Sequence, residues 1–261
     1  MTVTQISNDL SLELKGAVAI VRLTRPTKRN AINDALVLAL RDVFESFNSD
    51  IKAAVIAGEG DHFCAGLDLS ELSDRDAVQG LHHSRMWHKA LDAVQFGPVP
   101  VITALHGAVV GGGLELASAS HIRVADESTF YALPEGSRGI FVGGGASVRV
   151  PKLVGVARMT DMMMTGRVYN AQDGERAGFA QYLVPTGQAF AKALEIAEKV
   201  ALNAPMTNYA LTQVLPRIAE QTADHGLLTE SLVAAITQSA PEAKERVKAF
   251  LEGRANKVQK G

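Results

Sequence analysis

Apolar residues in the first part of the chain change from the spacing of a strand to the spacing of a helix. In residues 12–23, apolar and polar residues first alternate and are then followed by a nearly continuous apolar run. This pattern predicts two short strands joined at Gly16. Asn33 then suits the N-cap of a helix. Apolar residues recur at helical spacing after it, at Leu36, Leu40, Val43, Phe44 and Phe47. An amphipathic helix is therefore expected to follow the strands.

The order of strand, glycine turn and helix then recurs. Residues 53–57 form a short apolar run before the turn at 63–69, and residues 101–105 form another before the glycine-rich turn at 106–117. From about Gln188 onward the pattern is helical. Strands separated by helices predict an α/β core of repeated ββα units, capped by C-terminal helices.

Composition and charge narrow the classes of function. The chain has 261 residues, of which 47% are hydrophobic and 21% charged, and its formal net charge is −2, which argues against a nucleic-acid partner. The single cysteine, Cys64, excludes a disulfide within the chain and fits a reducing compartment. We find neither a secretory signal nor an apolar run of the ~20 residues that span a bilayer. We therefore expect a cytoplasmic protein that does not bind membranes.

The turn at Gly111 to Gly113 suits an anion-binding site. It joins a buried strand to a helix, so its N–H groups lack partners and point outward with the positive end of the helix. A tight turn that needs glycine for packing explains the same residues when they are taken alone. The turn from Ala65 to Leu69 is of the same kind and would bring the N–H of Leu67 opposite that of Gly112. Two such donors can form an oxyanion hole.

Two glutamates are predicted to lie near this hole. Glu115 follows Gly112 by about one helical turn, and Glu135 lies in a turn that begins at Pro134. An acidic residue in the first turn of a helix and a solvated glutamate in a turn are the ordinary explanations. Two carboxylates beside one oxyanion hole would instead permit general acid-base chemistry on a thioester.

Other kinds of site fit the sequence poorly. Neither glycine cluster has the pattern of a phosphate-binding P-loop or a dinucleotide-binding turn. His82, His83 and His88 lack a partner at metal-ligand spacing, so we expect helix-surface histidines and no metal. Cys64 is expected to be a small buried residue rather than a nucleophile.

Three segments together resemble the enoyl-CoA hydratase/isomerase (crotonase) family. They are Phe63-Cys-Ala-Gly-Leu-Asp-Leu69, Gly107-Ala-Val-Val-Gly-Gly-Gly-Leu-Glu-Leu-Ala117 and Leu133-Pro-Glu135. The resemblance implies a spiral of ββα units, with a catalytic core at residues 1–195 and a helical oligomerisation region at 196–261. It also implies a homotrimer or a dimer of trimers.

The resemblance further implies an acyl-CoA substrate, in which coenzyme A is part of the substrate and no cofactor is needed. Leu67 and Gly112 would supply the oxyanion-hole amides, and Glu115 and Glu135 would be the catalytic pair of a hydratase. The residues implied to bind substrate and coenzyme A are Ala65, Gly66, Leu67, Asp68, Leu69, Gly111, Gly112 and Gly143. The acyl group is expected to contact some of Trp87, Leu91, Leu114, Tyr131, Leu133 and Phe141.

Two segments depart from the family pattern. The family's Pro-Gly-x-Gly-Gly-Thr-Gln-Arg corresponds to Val142-Gly-Gly-Gly-Ala-Ser-Val-Arg149, and an acidic segment near the C-terminus is replaced by Pro241-Glu-Ala-Lys-Glu-Arg246. The sequence predicts an enoyl-CoA hydratase. The alternatives are an enoyl-CoA isomerase, another acyl-CoA lyase or hydrolase on the same scaffold, and a non-catalytic acyl-CoA-binding protein.

Overall fold

The structure, a computed structural model, describes residues 3–71 and 75–254. The chain forms two compact units, Met1–Ala201 and Leu202–Gly261. The division expected between residues 195 and 196 lies within the helix Ala189–Ala201, which belongs to the first unit. The last part of the expected helical region, residues 255–261, lies outside the described residues.

The first unit alternates strands and helices. Its strands are β1 (Val3–Ser7), β2 (Leu10–Lys15), β3 (Val18–Leu23), β4 (Ala53–Gly58), β5 (Val101–Leu105), β6 (Ala108–Val110), β7 (Ile122–Asp126), β8 (Phe130–Ala132), β9 (Tyr169–Asn170) and β10 (Tyr182–Val184). Its helices are α1 (Asp34–Glu45), α2 (Ala77–Gln95), α3 (Gly112–Ala119), α4 (Ala146–Val154), α5 (Val156–Thr165), α6 (Ala171–Ala177) and α7 (Ala189–Ala201). The expected α/β class is confirmed.

The strands form two sheets. The larger sheet has the order β1-β2-β3-β4-β5-β7-β10, with antiparallel pairs up to β3 and parallel pairs from β3 onward. In the smaller sheet, β8 pairs parallel with β6 and antiparallel with β9. The first glycine turn follows the parallel strand β4 at its carboxyl end, where ligands bind in open α/β sheets, and the turn at Gly111 follows β6 of the smaller sheet.

Both faces of the larger sheet are buried, and β3 shows why its sequence is a continuous apolar run. Val18 and Ile20 pack with the helix α7, whereas Ala19 and Val21 pack in the core on the opposite face. Successive side chains of a strand point to opposite faces, so a strand with two buried faces needs apolar residues at every position.

Several elements differ from the sequence predictions. The strands β1, β6, β9 and β10 were not predicted, and all four have five residues or fewer, too few for a long apolar pattern. A turn at Gly107, with a φ of 53°, separates β5 from β6, so the turn at Gly111 follows β6 rather than β5 directly. Helix α2 begins at Ala77, behind a capping box formed by Asp76 and Gln79.

The second unit is helical in its described part. It contains α8 (Pro205–Tyr209), a π-helical turn at Ala210–Val214, α9 (Leu215–Ile218), α10 (Ala223–Ser239) and α11 (Pro241–Leu251). Exposed apolar side chains line α10 at Leu227, Leu228, Leu232 and Ile236. The oligomerisation role expected for this part of the chain stays a prediction. Across residues 3–71 and 75–254, no helix has the length and apolar character needed to cross a membrane.

Candidate active site

The two predicted glycine turns pack against each other at backbone contact. Cys64 forms a parallel bridge with Val109 of β6, which sets the register of the first turn. A Cβ atom added to Gly66 would lie 3.3 Å from the backbone N of Gly112, and one added to Gly112 would lie 3.3 Å from the backbone N of Leu67. Glycine at both positions therefore allows the two amide groups to approach each other.

The N–H groups of Leu67 and Gly112 are both available to a ligand. Ile32 bonds to the residues on either side of Leu67, with 2.8 Å from its N to Gly66 O and 2.8 Å from Asp68 N to its O. These two hydrogen bonds do not involve the Leu67 N–H. Gly112 is the first residue of α3, so its N–H has no acceptor within the helix. Within the described part of the chain neither group donates to a protein acceptor. The pair has the arrangement of an oxyanion hole.

Both turns open on one cavity of about 250 Å³. It contains both glutamates, and all the residues expected to bind substrate line it except Asp68. Those that line it are Ala65, Gly66, Leu67, Leu69, Gly111, Gly112, Glu115, Glu135 and Gly143.

Glu115 reaches the cavity from the first turn of α3 and is held by backbone N–H groups. Its Oε1 accepts from Gly144 N at 2.7 Å and from Ala146 N at 3.2 Å. Burial raises the pKa of Glu115, while these two N–H groups and the charge of Arg149 oppose that rise. The carboxylate is therefore fixed in direction, with Oε2 left outside the two backbone contacts.

Glu135 enters the cavity from the turn after β8 and is held differently. Its Oε2 is buried and has no hydrogen-bond partner among the described residues. Burial and, to a smaller extent, the charge of Glu115 raise its pKa to about 6, although Arg138 acts in the opposite direction. A Cβ on Gly111 would lie 2.8 Å from Glu135 Oε1, so glycine at this position, with a φ of 51°, makes room for the carboxylate. Such a carboxyl group can carry a proton near neutral pH.

Asp68 supports the first turn from outside the cavity. Its Oδ2 lies 2.8 Å from Arg25 Nη1, and its Oδ1 accepts from the N–H and the hydroxyl of Ser70. These contacts lower the pKa of Asp68, with the Ser70 hydroxyl as the largest cause. The structure thus gives Asp68 a role in the shape of the turn, while its expected contact with coenzyme A stays a prediction.

Helix α2 contributes cavity residues that the sequence did not assign to the site, and one of them, His83, was expected at the helix surface. His83 lines the cavity and its Nε2 lies 2.7 Å from Asp34 Oδ1, while Ser84 donates to Gly143 O at 2.6 Å. Their positions depend on the packing of α2 against the loop after β8, which no local pattern reveals. Arg138 also lines the cavity, and its place three residues after Glu135 was the one signal available.

The expected acyl contacts divide into two groups. Trp87 and Phe141 line the cavity, with Trp87 buried and Phe141 69% exposed. The other four candidates are buried in the core and do not line it; they are Leu91, Leu114, Tyr131 and Leu133. All six residues are close to a motif in sequence, but neighbouring residues of a strand or helix point to different sides. Sequence proximity therefore could not show which of them face the cavity and which face the core.

Cys64 is buried beneath the first turn. Burial raises the pKa of its thiol to about 12, and its Sγ accepts from Gly66 N at 3.3 Å. This fits the expected small buried residue. Among residues 3–71 and 75–254 no three His, Cys, Asp or Glu side chains come together in a way that could bind a metal ion.

The enoyl-CoA hydratase/isomerase family model matches residues 13–260, which is nearly the whole chain. The chain belongs to the enoyl-CoA hydratase/isomerase family. The resemblance inferred from the two glycine turns and the Leu133-Pro-Glu135 segment is thereby confirmed.

Solved and curated family members resemble the chain over nearly its full length. The crystal structure of a putative enoyl-CoA hydratase from Rhodopseudomonas palustris CGA009 is 57% identical, covers 97% of this chain and 98% of that one, and has a TM-score of 0.93. The 2,3-dehydroadipyl-CoA hydratase of Escherichia coli K12 is 30% identical over 95% of this chain and 97% of its own length. A short-chain-enoyl-CoA hydratase of Clostridium acetobutylicum is 29% identical over 95% and 96%. The crotonase-type fold is therefore shown, and family membership implies an acyl-CoA substrate.

Proposed function

We propose that this family member hydrates 2-enoyl-CoA thioesters. The observation that supports the proposal most is the presence of two carboxylates with raised pKa values, Glu115 and Glu135, in one cavity with the two unpaired N–H groups of Leu67 and Gly112. An oxyanion hole stabilises the enolate charge that develops on the thioester oxygen, and two carboxyl groups supply a base and an acid.

The proposed reaction adds one water molecule across the 2,3 double bond. Oε2 of Glu115 accepts a proton from the water while the water oxygen bonds to C3, and the π electrons move to the thioester oxygen at the N–H groups of Leu67 and Gly112. The enolate then collapses as Glu135 gives its proton to C2. A proton returns from Glu115 to Glu135 before the next turnover. The acidic group is assigned to Glu135 because its pKa is raised to about 6 and its buried Oε2 has no partner among the described residues, whereas two backbone N–H groups favour the ionised form of Glu115.

An isomerase would need only a single carboxyl group, which moves a proton between C2 and C4. The products formed from two substrates therefore distinguish an isomerase from a hydratase. The protein is incubated at high concentration with crotonyl-CoA and, in parallel, with a 3-enoyl-CoA, and the products are identified by mass spectrometry. Conversion of crotonyl-CoA to 3-hydroxybutyryl-CoA supports the proposal. Conversion of the 3-enoyl-CoA without any hydrated product would favour the isomerase, and release of free coenzyme A would favour a hydrolase.

Binding without turnover is tested by Glu115→Gln and Glu135→Gln. Each variant should bind a nonreactive acyl-CoA with unchanged affinity and lose hydration. Glu127→Gln, on the exposed turn between β7 and β8, is the matched control and should keep full activity. Equal turnover in all three variants would contradict the assignment of the two carboxyl groups.

A further inference from the structure

Arg149 lies on α4 beneath the loop that carries the N–H groups bound to Glu115. It is buried, with 8% of its surface exposed. Its Nη1 donates to Gly144 O at 3.0 Å, its Nε to Gln95 Oε1 at 2.6 Å, and its Nη2 to Asp92 Oδ1 at 2.7 Å. The guanidinium group therefore joins α2 to this loop by charge-assisted hydrogen bonds with a fixed geometry.

The residue that Arg149 bonds is the same one that binds Glu115. Gly144 accepts from Arg149 through its carbonyl and donates to Glu115 Oε1 through its N–H. The next residue, Gly145, has a φ of 108°, and a Cβ there would overlap Arg149 Nη1. The loop thus turns tightly around the guanidinium group, and its N–H groups take their direction from that turn.

The α2 end of this connection is also fixed. The backbone N–H of Val101 donates to His121 Nδ1 at 2.9 Å, so Nε2 carries the proton and donates to Gln95 O at 2.9 Å. Burial lowers the pKa of His121 to about 4, so the ring stays neutral near neutral pH. Gln95 is therefore a rigid support for Arg149.

We propose that Arg149 is a positioning residue for the reaction, because it orients the Gly144 and Ala146 N–H groups that direct the carboxylate of Glu115. The role in catalysis rests on the proposed hydratase function. Arg149 also places a positive charge near Glu115, which favours the ionised form.

Other ionisable groups lie around the same cavity or beside Arg149. Glu135 faces it across the cavity, and Arg138 lies beside Glu135. On α2, His83 lines the cavity, while Asp92 pairs with Arg149 and His88 lies within reach of the charges of both. Among these groups, Arg149 is the one that carries a positive charge and also donates a hydrogen bond to the loop that binds Glu115.

The test compares Arg149→Met with Arg123→Met. Arg123 is the matched control, since it is also buried and donates from Nε to Phe179 O and from Nη1 to Ser120 O, both at 2.7 Å, away from the cavity. Steady-state hydration of crotonyl-CoA is measured across pH, with thermal unfolding of each variant in parallel.

Arg149→Met should lower kcat about 10²-fold while KM stays within about twofold, since a misdirected base costs the chemical step rather than binding. In the pH profile of kcat, the acidic limb should move up by about one pH unit, because the Glu115 carboxylate loses a nearby positive charge. Arg123→Met should reduce stability without changing either quantity. Gln95→Leu keeps the charge of Arg149 but removes one of its supports, so kcat should fall and the acidic limb of its pH profile should shift upward by less than in Arg149→Met. This variant also serves if Arg149→Met does not fold.

Failure of this proposal is distinguishable from failure of the hydratase assignment. The carboxyl group of Glu115 is titrated by NMR with ¹³C-labelled glutamate in the absence of substrate, and its signal is assigned by its loss in Glu115→Gln. A higher Glu115 pKa in Arg149→Met supports the proposal even if crotonyl-CoA is not the substrate. An unchanged titration, or kinetic effects no larger than those of Arg123→Met, would overturn it.

Discussion

Glu115 and Glu135 face one cavity from regions that support them in different ways. Glu115 stands on a helix, and two N–H groups of a loop bind one of its oxygens. Glu135 stands in a turn, and its buried Oε2 has no partner among the described residues. The backbone thus fixes the first carboxylate in direction and leaves one oxygen of the second for a ligand or a proton.

This difference suits two roles in proton transfer. A base must point at the proton that it removes, and backbone N–H groups favour its ionised form. An acid that works near neutral pH needs a raised pKa, which burial gives to Glu135. Two carboxylates in the same environment would not be divided into one base and one acid.

The largest effect is expected from the directed carboxylate. Glu115→Gln should lower kcat for crotonyl-CoA hydration by about 10³- to 10⁴-fold, because the amide cannot accept the proton of water. KM should change little. The comparison is sharpened by Glu115→Asp, whose shorter side chain cannot keep both N–H contacts and should lose more activity than Glu135→Asp. The reverse order would show that backbone direction does not distinguish the two sites.

A smaller loss of rate is expected at the oxyanion hole. In Gly112→Ala the added Cβ would lie 3.0 Å from Trp87 Cη2 and 3.3 Å from Leu67 N, so it crowds the space between the two donors. The change should lower kcat by about 10²-fold, as expected when one donor is misplaced. Gly226→Ala, on α10, is the control and should remain active, because Gly226 does not line the cavity and the added Cβ would lie at an ordinary contact distance of 3.4 Å from Ile218 Cγ2.

The raised pKa of Glu135 predicts a change in stability. The pKa of this carboxyl group is about 6 in the folded protein, compared with an ordinary value of 4.5. The folded state therefore binds the proton more tightly than the unfolded state does, and the free energy of unfolding falls as the pH rises through this range. Glu135→Gln removes this loss. The variant should equal the wild type near pH 4 and be more stable at pH 8 by at most about 2 kcal/mol. Chemical denaturation at both pH values checks this, and a variant that is less stable at pH 8 would contradict it.

The smallest expected effects separate the two sides of the cavity by substrate size. Trp87 packs its six-membered ring beside Gly112 and Gly144, on the Glu115 side, whereas Phe141 is exposed in the loop after Glu135. Trp87→Phe should raise the kcat/KM of longer enoyl-CoAs relative to crotonyl-CoA by up to about tenfold, within the range of a few methylene contacts. Phe141→Ala should change KM a few-fold and leave this preference unaltered. Identical chain-length profiles would refute the distinction.

Local sequence predicted the parts of the site that depend on backbone turns. At Gly66 and Gly111 an added Cβ would collide with the Val110 carbonyl and the Glu135 carboxylate, and at Gly112 it would crowd Trp87 and the Leu67 N–H. The pattern of these glycines is therefore what indicated an oxyanion hole and the family. The α/β class followed in the same way from the apolar runs of β3, β4 and β5.

Other features depend on contacts between segments distant in sequence. The bond from Arg149 to Gly144, the contact of Ser84 with Gly143 and the core position of Tyr131 arise when α2, α4 and β8 pack together. Short strands such as β6 form because a partner strand is present rather than because their own residues require it. No spacing within one segment encodes these contacts.

The most direct test of hydration by two carboxyl groups follows the isotopes of water into the product. Crotonyl-CoA is incubated with the wild type, and with Glu115→Gln and Glu135→Gln, in D₂O and separately in H₂¹⁸O, and the products are analysed by mass spectrometry and NMR. The account predicts 3-hydroxybutyryl-CoA with ¹⁸O at C3 or deuterium at C2 in the wild type, and almost none in either variant. Absence of ¹⁸O at C3 in the wild type, or equal labelling in the variants, would contradict it.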